Sequence, residues 1–213
     1  MVHGGIRYLQ HADLYHIRES SRERSALLRI APHLVYPLPI VVPTYGRGLR
    51  SKQVLRAGMS LYDLLTLDRN WGIPDLEQRI PPTRALSRQE CLEMFPSLER
   101  HDLSGGMLFY DGQMYSPPRL ALSFLKSAVE VGAAAANYVE VTNFVRDRDR
   151  VVGVDAQGQH NGDRLRLRGK VVLNAAGPWA ERLLQQDLSL GLHPQLTFSR
   201  DAALVVKRRL SKN

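Results

Sequence analysis

Residues 170–177 read KVVLNAAG, a nearly continuous apolar run that ends in small side chains, and PWAERLLQQ follows with helical spacing. Such a run is expected as a strand covered on both faces that turns tightly into a helix. It constrains the fold more than any other stretch, because a strand of that kind needs a layered α/β sheet around it. The small residues at the turn admit two readings. They let the helix pack closely on the strand, or they let a ligand approach the backbone near a helix N-terminus that favours an anion.

The rest of the chain alternates helical and extended patterns. Residues 12–31 place Leu14, Ile17, Leu27, Leu28 and Ile30 among charges, as an amphipathic helix that Pro32 ends. LVYPLPIVVP (34–43) is β-branched but broken by three prolines, which confines it to a sheet edge or a bulge. Residues 51–67 have helical spacing, and 68–83 read as loop. Ser87 followed by Glu90 is a capping-box signature for a short helix over 87–95. GGMLFYDGQMY (105–115) is either one strand or a hairpin turning at Asp111-Gly112. Pro117 and Pro118 open a helix that runs to Gly132. Three extended segments then form a β-meander, in which RLRLR (164–168) alternates as a half-exposed strand should.

Composition excludes several classes. With 213 residues, 44% hydrophobic and 23% charged, the chain suits an ordinary globular core. No run of about 18 apolar residues is present, so no spanning helix is expected, and no apolar signal core opens the chain. The single cysteine, Cys91, excludes an internal disulfide framework and fits a reducing compartment such as the cytoplasm. The seven histidines are scattered, so no metal site is expected. The net charge of +8 is spread along the chain without a nucleic-acid-binding motif, and nucleic acid ranks last among partners. The nearest approach to a phosphate-binding glycine turn, GRGLRS (46–51), ends in Ser51 and follows a proline-broken strand; it reads as a loop.

VHGGIRYLQ (2–10), RESSRERSALLRIAPHLVYPLPIVVP (18–43), GGMLFYDGQMY with RLALSFLKSAVEVGAAAANYVEVTNF (119–144), and VVLNAAGPWAERL (171–183) occur in series. In that order and spacing they resemble the FAD-dependent glycerol-3-phosphate dehydrogenases, within the flavoproteins similar to D-amino-acid oxidase. The resemblance runs from residue 2 to about residue 206. It implies an α/β (α+β) fold: a partial FAD-binding Rossmann-like domain with an incomplete antiparallel-sheet substrate domain. Segments 1–32 and 117–190 would belong to the FAD domain, 33–116 to the substrate domain, and 191–213 to the start of its second segment. In such enzymes a strand, a G-x-G-x-x-G turn and a helix precede the HGG stretch, so the resemblance implies an internal piece of a flavoenzyme that is inactive by itself, in which KVVLNAAG would expose an apolar edge.

The resemblance also implies site residues. His3, Gly4 and Gly5 would lie against the flavin, Val141 would meet the adenine end through its backbone, and Ala175, Ala176 and Gly177 would form the turn beside the cofactor. Arg7 and Tyr8 would face the substrate, and a guanidinium suits a phosphate. Arg200 keeps a positive charge in a family position, whereas Ala203 stands where many members carry a histidine. No catalytic base is assigned. The implied reaction passes a hydride from a glycerol-phosphate-like alcohol to FAD and electrons onward to a quinone, with peripheral attachment at the inner membrane face. An amino-acid oxidase or dehydrogenase relative, and a non-catalytic stand-alone remnant, are the alternatives.

Overall fold

The computed structural model describes residues 1–46, 52–186 and 207. It contains two compact units, the first reaching Ala128 and the second beginning at Val129.

In the first unit a helix α1 (Leu14–Ile30) leads into strand β1 (Val35–Tyr45), helix α2 (Lys52–Leu65), strand β2 (Arg84–Leu86), helix α3 (Arg88–Met94), strand β3 (Leu103–Met114) and helix α4 (Pro117–Glu130). The sheet has the order β1-β3-β2, and both pairings are antiparallel. β1 is an edge strand with a register irregularity at Thr44/Tyr45, as its prolines require. Pro37, Pro39 and Pro43 all share one parity along the strand. Successive backbone N–H groups point to opposite edges, so the three missing donors fall together on the edge away from β3.

β3 is one uninterrupted strand, and the hairpin reading of Asp111-Gly112 is corrected. Gly112 sits opposite Pro37 on one side, and on the other it exchanges two backbone hydrogen bonds with Val2, at 2.7 and 2.8 Å. A residue engaged on both sides has no room to turn. Being central, β3 packs on both faces: Met107 and Phe109 with Met59 of α2, and Leu108 with Leu86, Cys91 and Leu103. A third cluster joins Leu28, Leu34, Val35, Ile73, Ile80 and Leu120. The capping box forms as expected: the Ser87 hydroxyl accepts from Glu90 N–H, and Glu90 accepts from Ser87 N–H at 2.7 Å. That backbone hydrogen bond, helped by Arg84, draws the Glu90 carboxyl down to about 2.

The second unit holds the meander β4 (Val139–Asp147), β5 (Arg150–Gly158) and β6 (Arg164–Arg168), followed by helix α5 (Ala180–Gln186). Two expectations are corrected here. All five residues of β6 are exposed, so RLRLR has no covered face. KVVLNAAG pairs in no ladder among the described residues, and its stretch 171–176 forms no regular element, with Val171 83% and Leu173 86% exposed. The alternation survives, because Val172 is half-buried between the two exposed residues. What is missing is cover on the second face and a strand alongside. Among the described residues, Ala156 is the one buried hydrophobic side chain of this unit.

An exposed apolar segment that pairs in no ladder is a template for association with another chain. Replacing Val171 and Leu173 together by lysine is expected to lower self-association, read by light scattering against concentration. The melting transition should stay in place, since neither side chain is buried.

Candidate functional site

The stretch from Val2 to Tyr8 is held to the first unit by backbone and buried polar contacts. Val2 extends the sheet at Gly112, Gly4 N–H donates to Asp111 Oδ1 at 2.6 Å, and Gly4 C=O accepts from the Tyr62 hydroxyl at 2.9 Å. A Cβ on Gly4 would run into the Arg24 guanidinium and the Tyr62 hydroxyl. Gly5 has φ 81°, and a Cβ there would press on Ser20, the Ile17 backbone and the His16 carbonyl. Both glycines therefore have a reason within the protein itself.

The anchor is an ion pair. Arg24, 0% exposed, donates from Nη1 to Asp111 Oδ1 and to the Tyr110 carbonyl, both at 2.9 Å. Asp111 is 3% exposed. Its Oδ1 thus accepts from both a helix side chain and the Gly4 backbone. Burial pushes the neighbouring Tyr62 phenol upward, while Arg24 pulls it the other way. The sequence pointed to no site role for Arg24 or Tyr62, and marked Asp111 only as a turn residue. A signal existed for Arg24, which stands seven residues after Ile17 and four before Leu28 on the buried stripe of α1. A charge on that stripe requires a buried partner.

After Gly5 the chain forms a 3-10 turn, Ile6–His11, which separates the two residues expected at the substrate. Arg7 is exposed and borders a cavity of about 660 Å³, walled by Ile6, Leu9, Val42, Tyr45, Leu55 and Phe109 among others. Arg7 has no ion-pair partner among the described residues. Tyr8 is not on that wall. Its ring lies 5.3 Å from that of His16 and 6.1 Å from that of His3, and His16 is held by Asp13 at 2.6 Å.

In the second unit Val141, Ala175 and Ala176 come together on a cavity of about 370 Å³, with Phe144, Val154 and Trp179. Trp179 is 65% exposed and borders this cavity. Gly177 adopts φ 55° at the start of the 3-10 turn Gly177–Trp179, and a Cβ there would meet open space. Asn174 shapes the turn: its Oδ1 accepts from Ala176 N–H, and its Nδ2 donates to the Ala180 carbonyl. Arg200 and Ala203 lie outside the described residues, as does most of GRGLRS.

A family model described as FAD dependent oxidoreductase matches residues 1–212. The chain belongs to that family. It is 35% identical over 186 residues to a glycerol-3-phosphate dehydrogenase of Synechocystis, covering 86% of this chain and 32% of that protein. It is 31% identical over 224 residues to a glycerol-3-phosphate dehydrogenase of Mycobacterium leprae, covering 99% of this chain and 36% of the relative. Among solved structures, the Bacillus halodurans glycerol-3-phosphate dehydrogenase complexed with FAD superposes with a TM-score of 0.54 at 27% identity, over 78% of this chain and 26% of that one. The chain thus spans about a third or less of these relatives, as the resemblance implied. The flavoprotein assignment and the partial Rossmann-like, mixed helix and strand fold stand.

FAD is the group this family binds, and the second-unit cavity fits part of it. Its walls are largely apolar, with Glu140, Asn174 and Arg182 as the polar exceptions, and the side chains of Ala175 and Ala176 are small enough to leave the backbone approachable. Those features suit a flat ring lying against Val141, Ala175 and Ala176.

The buried pair in the first unit gives a direct test. Asp111→Asn leaves Arg24 buried without its counter-charge, which is expected to cost about 3–5 kcal/mol in urea unfolding. The double change Arg24→Met, Asp111→Leu should recover most of that loss. A single Asp111→Asn within about 0.5 kcal/mol of the parent would show that the pair does not anchor this unit.

Proposed function

We propose that this chain supplies the substrate-facing wall and part of the FAD-facing wall of a dehydrogenase that oxidises glycerol 3-phosphate, or a similar polyol phosphate, to dihydroxyacetone phosphate. The observation that carries the reading is Arg7, an exposed guanidinium with no ion-pair partner among the described residues that borders a largely apolar cavity. In such surroundings a guanidinium holds a phosphate by two charge-assisted hydrogen bonds, stronger than the same contact in open water. Arg200 would add a second positive charge at the substrate. Tyr8, its ring tilted against those of His3 and His16, would bound the substrate from the flavin side. His3, Gly4 and Gly5 would present the loop to the flavin ring, and Val141 with Ala175, Ala176 and Gly177 would meet the rest of the cofactor. FAD, when bound, supplies the hydride acceptor.

The chain's own contribution is orientation. The buried anchor at Asp111 and Tyr62 fixes the Gly4 backbone, and the turn that follows sets where Arg7 stands. Segments 1–32 and 117–190 would serve the cofactor and 33–116 the substrate. By itself the chain is expected to be inactive, and without a dinucleotide turn it is not expected to hold FAD firmly. A quinone would take the electrons, with the protein attached peripherally to a membrane. The exposed Leu64, Leu67 and Leu76 support such a contact, and no helix among the described residues is long and apolar enough to cross one.

A second reading, an amino-acid-oxidising relative, draws on Ala203 standing where many members have a histidine. Calorimetry separates the two. Glycerol 3-phosphate is expected to bind with inorganic phosphate competing, glycerol should not bind measurably, and Arg7→Gln should weaken the affinity about tenfold or more. Equal heats for glycerol and glycerol 3-phosphate, or no effect of Arg7→Gln, would sink the phosphate assignment.

A further inference from the structure

Beside its buried stripe α1 carries a second one. Arg18, Arg22, Ser25 and Arg29 follow at spacings of four, three and four, so they line one side of the helix. Arg18 is engaged: it holds both carboxylate oxygens of Asp68, at 2.6 and 2.8 Å, and the Leu65 carbonyl. Arg22 and Arg29 are exposed and make no ion pair among the described residues.

These two face a hollow of about 290 Å³ that Asp68, Arg69 and Trp71 close from the other side. Ser21 forms part of its wall; it is 2% exposed, and its hydroxyl has no hydrogen-bond partner among the described residues. The remaining charges of the wall are compensated. Arg69 pairs with Asp63 at 3.2 Å and donates to the Ile80 and Thr66 carbonyls. Asp68 is held by Arg18, whose hydrogen bond keeps its carboxyl below the usual range. Arg22 also feels the Asp68 charge, but neither it nor Arg29 is held in an ion pair among the described residues, so the hollow presents two guanidiniums with free donors. Gly72, at φ 74°, keeps the turn open beside Arg29: a Cβ there would lie 3.3 Å from the guanidinium.

We propose that this hollow is a second anion site that takes a phosphate group, separate from the cavity of Arg7. Two forked cations on one helix face match the oxygens of a phosphate dianion. The Ser21 hydroxyl, short of a partner, is a further donor at the wall. Trp71, 84% exposed at the rim, offers an indole face to whatever the phosphate is attached to. The inference does not rest on the proposed dehydrogenase chemistry.

The rim tryptophan makes the site measurable. In a Trp179→Phe background Trp71 is the sole indole. Inorganic phosphate added at constant ionic strength is expected to change its emission saturably. Arg22→Gln with Arg29→Gln should weaken that response about tenfold or more, whereas Arg7→Gln should leave it unchanged. Both glutamine changes are at exposed positions, and circular dichroism checks the fold. Vesicles of phosphatidylcholine, with and without phosphatidic acid, locate the source of the phosphate. A response to phosphatidic acid vesicles alone that the double variant loses assigns the site to a lipid headgroup. A response to free phosphate that the double variant loses assigns it to a soluble ligand. Emission that moves equally with neutral vesicles, that survives in the double variant, or that never changes overturns the proposal.

Discussion

The first unit depends on one buried carboxylate. Asp111 lies in the central strand, and its Oδ1 accepts from Arg24 of α1 and from the Gly4 backbone. Tyr62 of α2 closes the same group of contacts on the Gly4 carbonyl. Three elements distant in sequence and the N-terminal stretch meet there. The pair is not a large source of net stability. Two nitrogens of Arg24 are buried without partners, and desolvating two charges offsets much of their attraction. Its effect is on placement, because an unpaired Arg24 in that position would be far costlier than any shift that restores the contact. The exposed turn with Arg7 starts from a backbone fixed in this way, so the cavity inherits its geometry from a contact it does not include.

The first unit was largely legible in the sequence because its signals are local. Three prolines of one parity say which edge of β1 is free, Ser87 and Glu90 say where α3 begins, and the spacing of apolar residues marks α1 and α2. Asp111-Gly112 misleads for a physical reason. The pair has the chemistry of a tight turn, but Gly112 is held by Pro37's strand on one side and Val2 on the other, and Val2 is remote in sequence. Arg24 was legible in principle as a charge on an apolar stripe. That its partner is Asp111 was not, since nothing local ties residue 24 to residue 111.

KVVLNAAG illustrates the opposite case. Its composition specifies a strand with two covered faces, and the residues described here cover only one, through Val172. The pattern therefore records an environment larger than the unit it sits in. The same holds for β6, whose alternation has no partner layer, and for the exposed Leu122, Phe124 and Leu125 of α4. The chain spans about a third or less of the relatives it matches, and among its described residues these apolar faces have no covering layer. Local conformation follows the pattern; burial does not, because burial needs atoms from elsewhere.

The two arginine settings differ in what can be read from their surroundings. Arg7 stands beside apolar walls, so a bound anion there would lose water and gain strength from the low polarity around it. Arg22 and Arg29 stand on an open helix face beside compensated charges, where screening by salt limits what each contributes. The first setting suits selection of a small substrate. The second suits an anion held by geometry, two forks at a fixed spacing on a rigid helix, and it can discriminate by shape where it cannot by affinity. α1 carries both roles on adjacent stripes: its buried side fixes the loop that bears Arg7, and its neighbouring side presents Arg22 and Arg29.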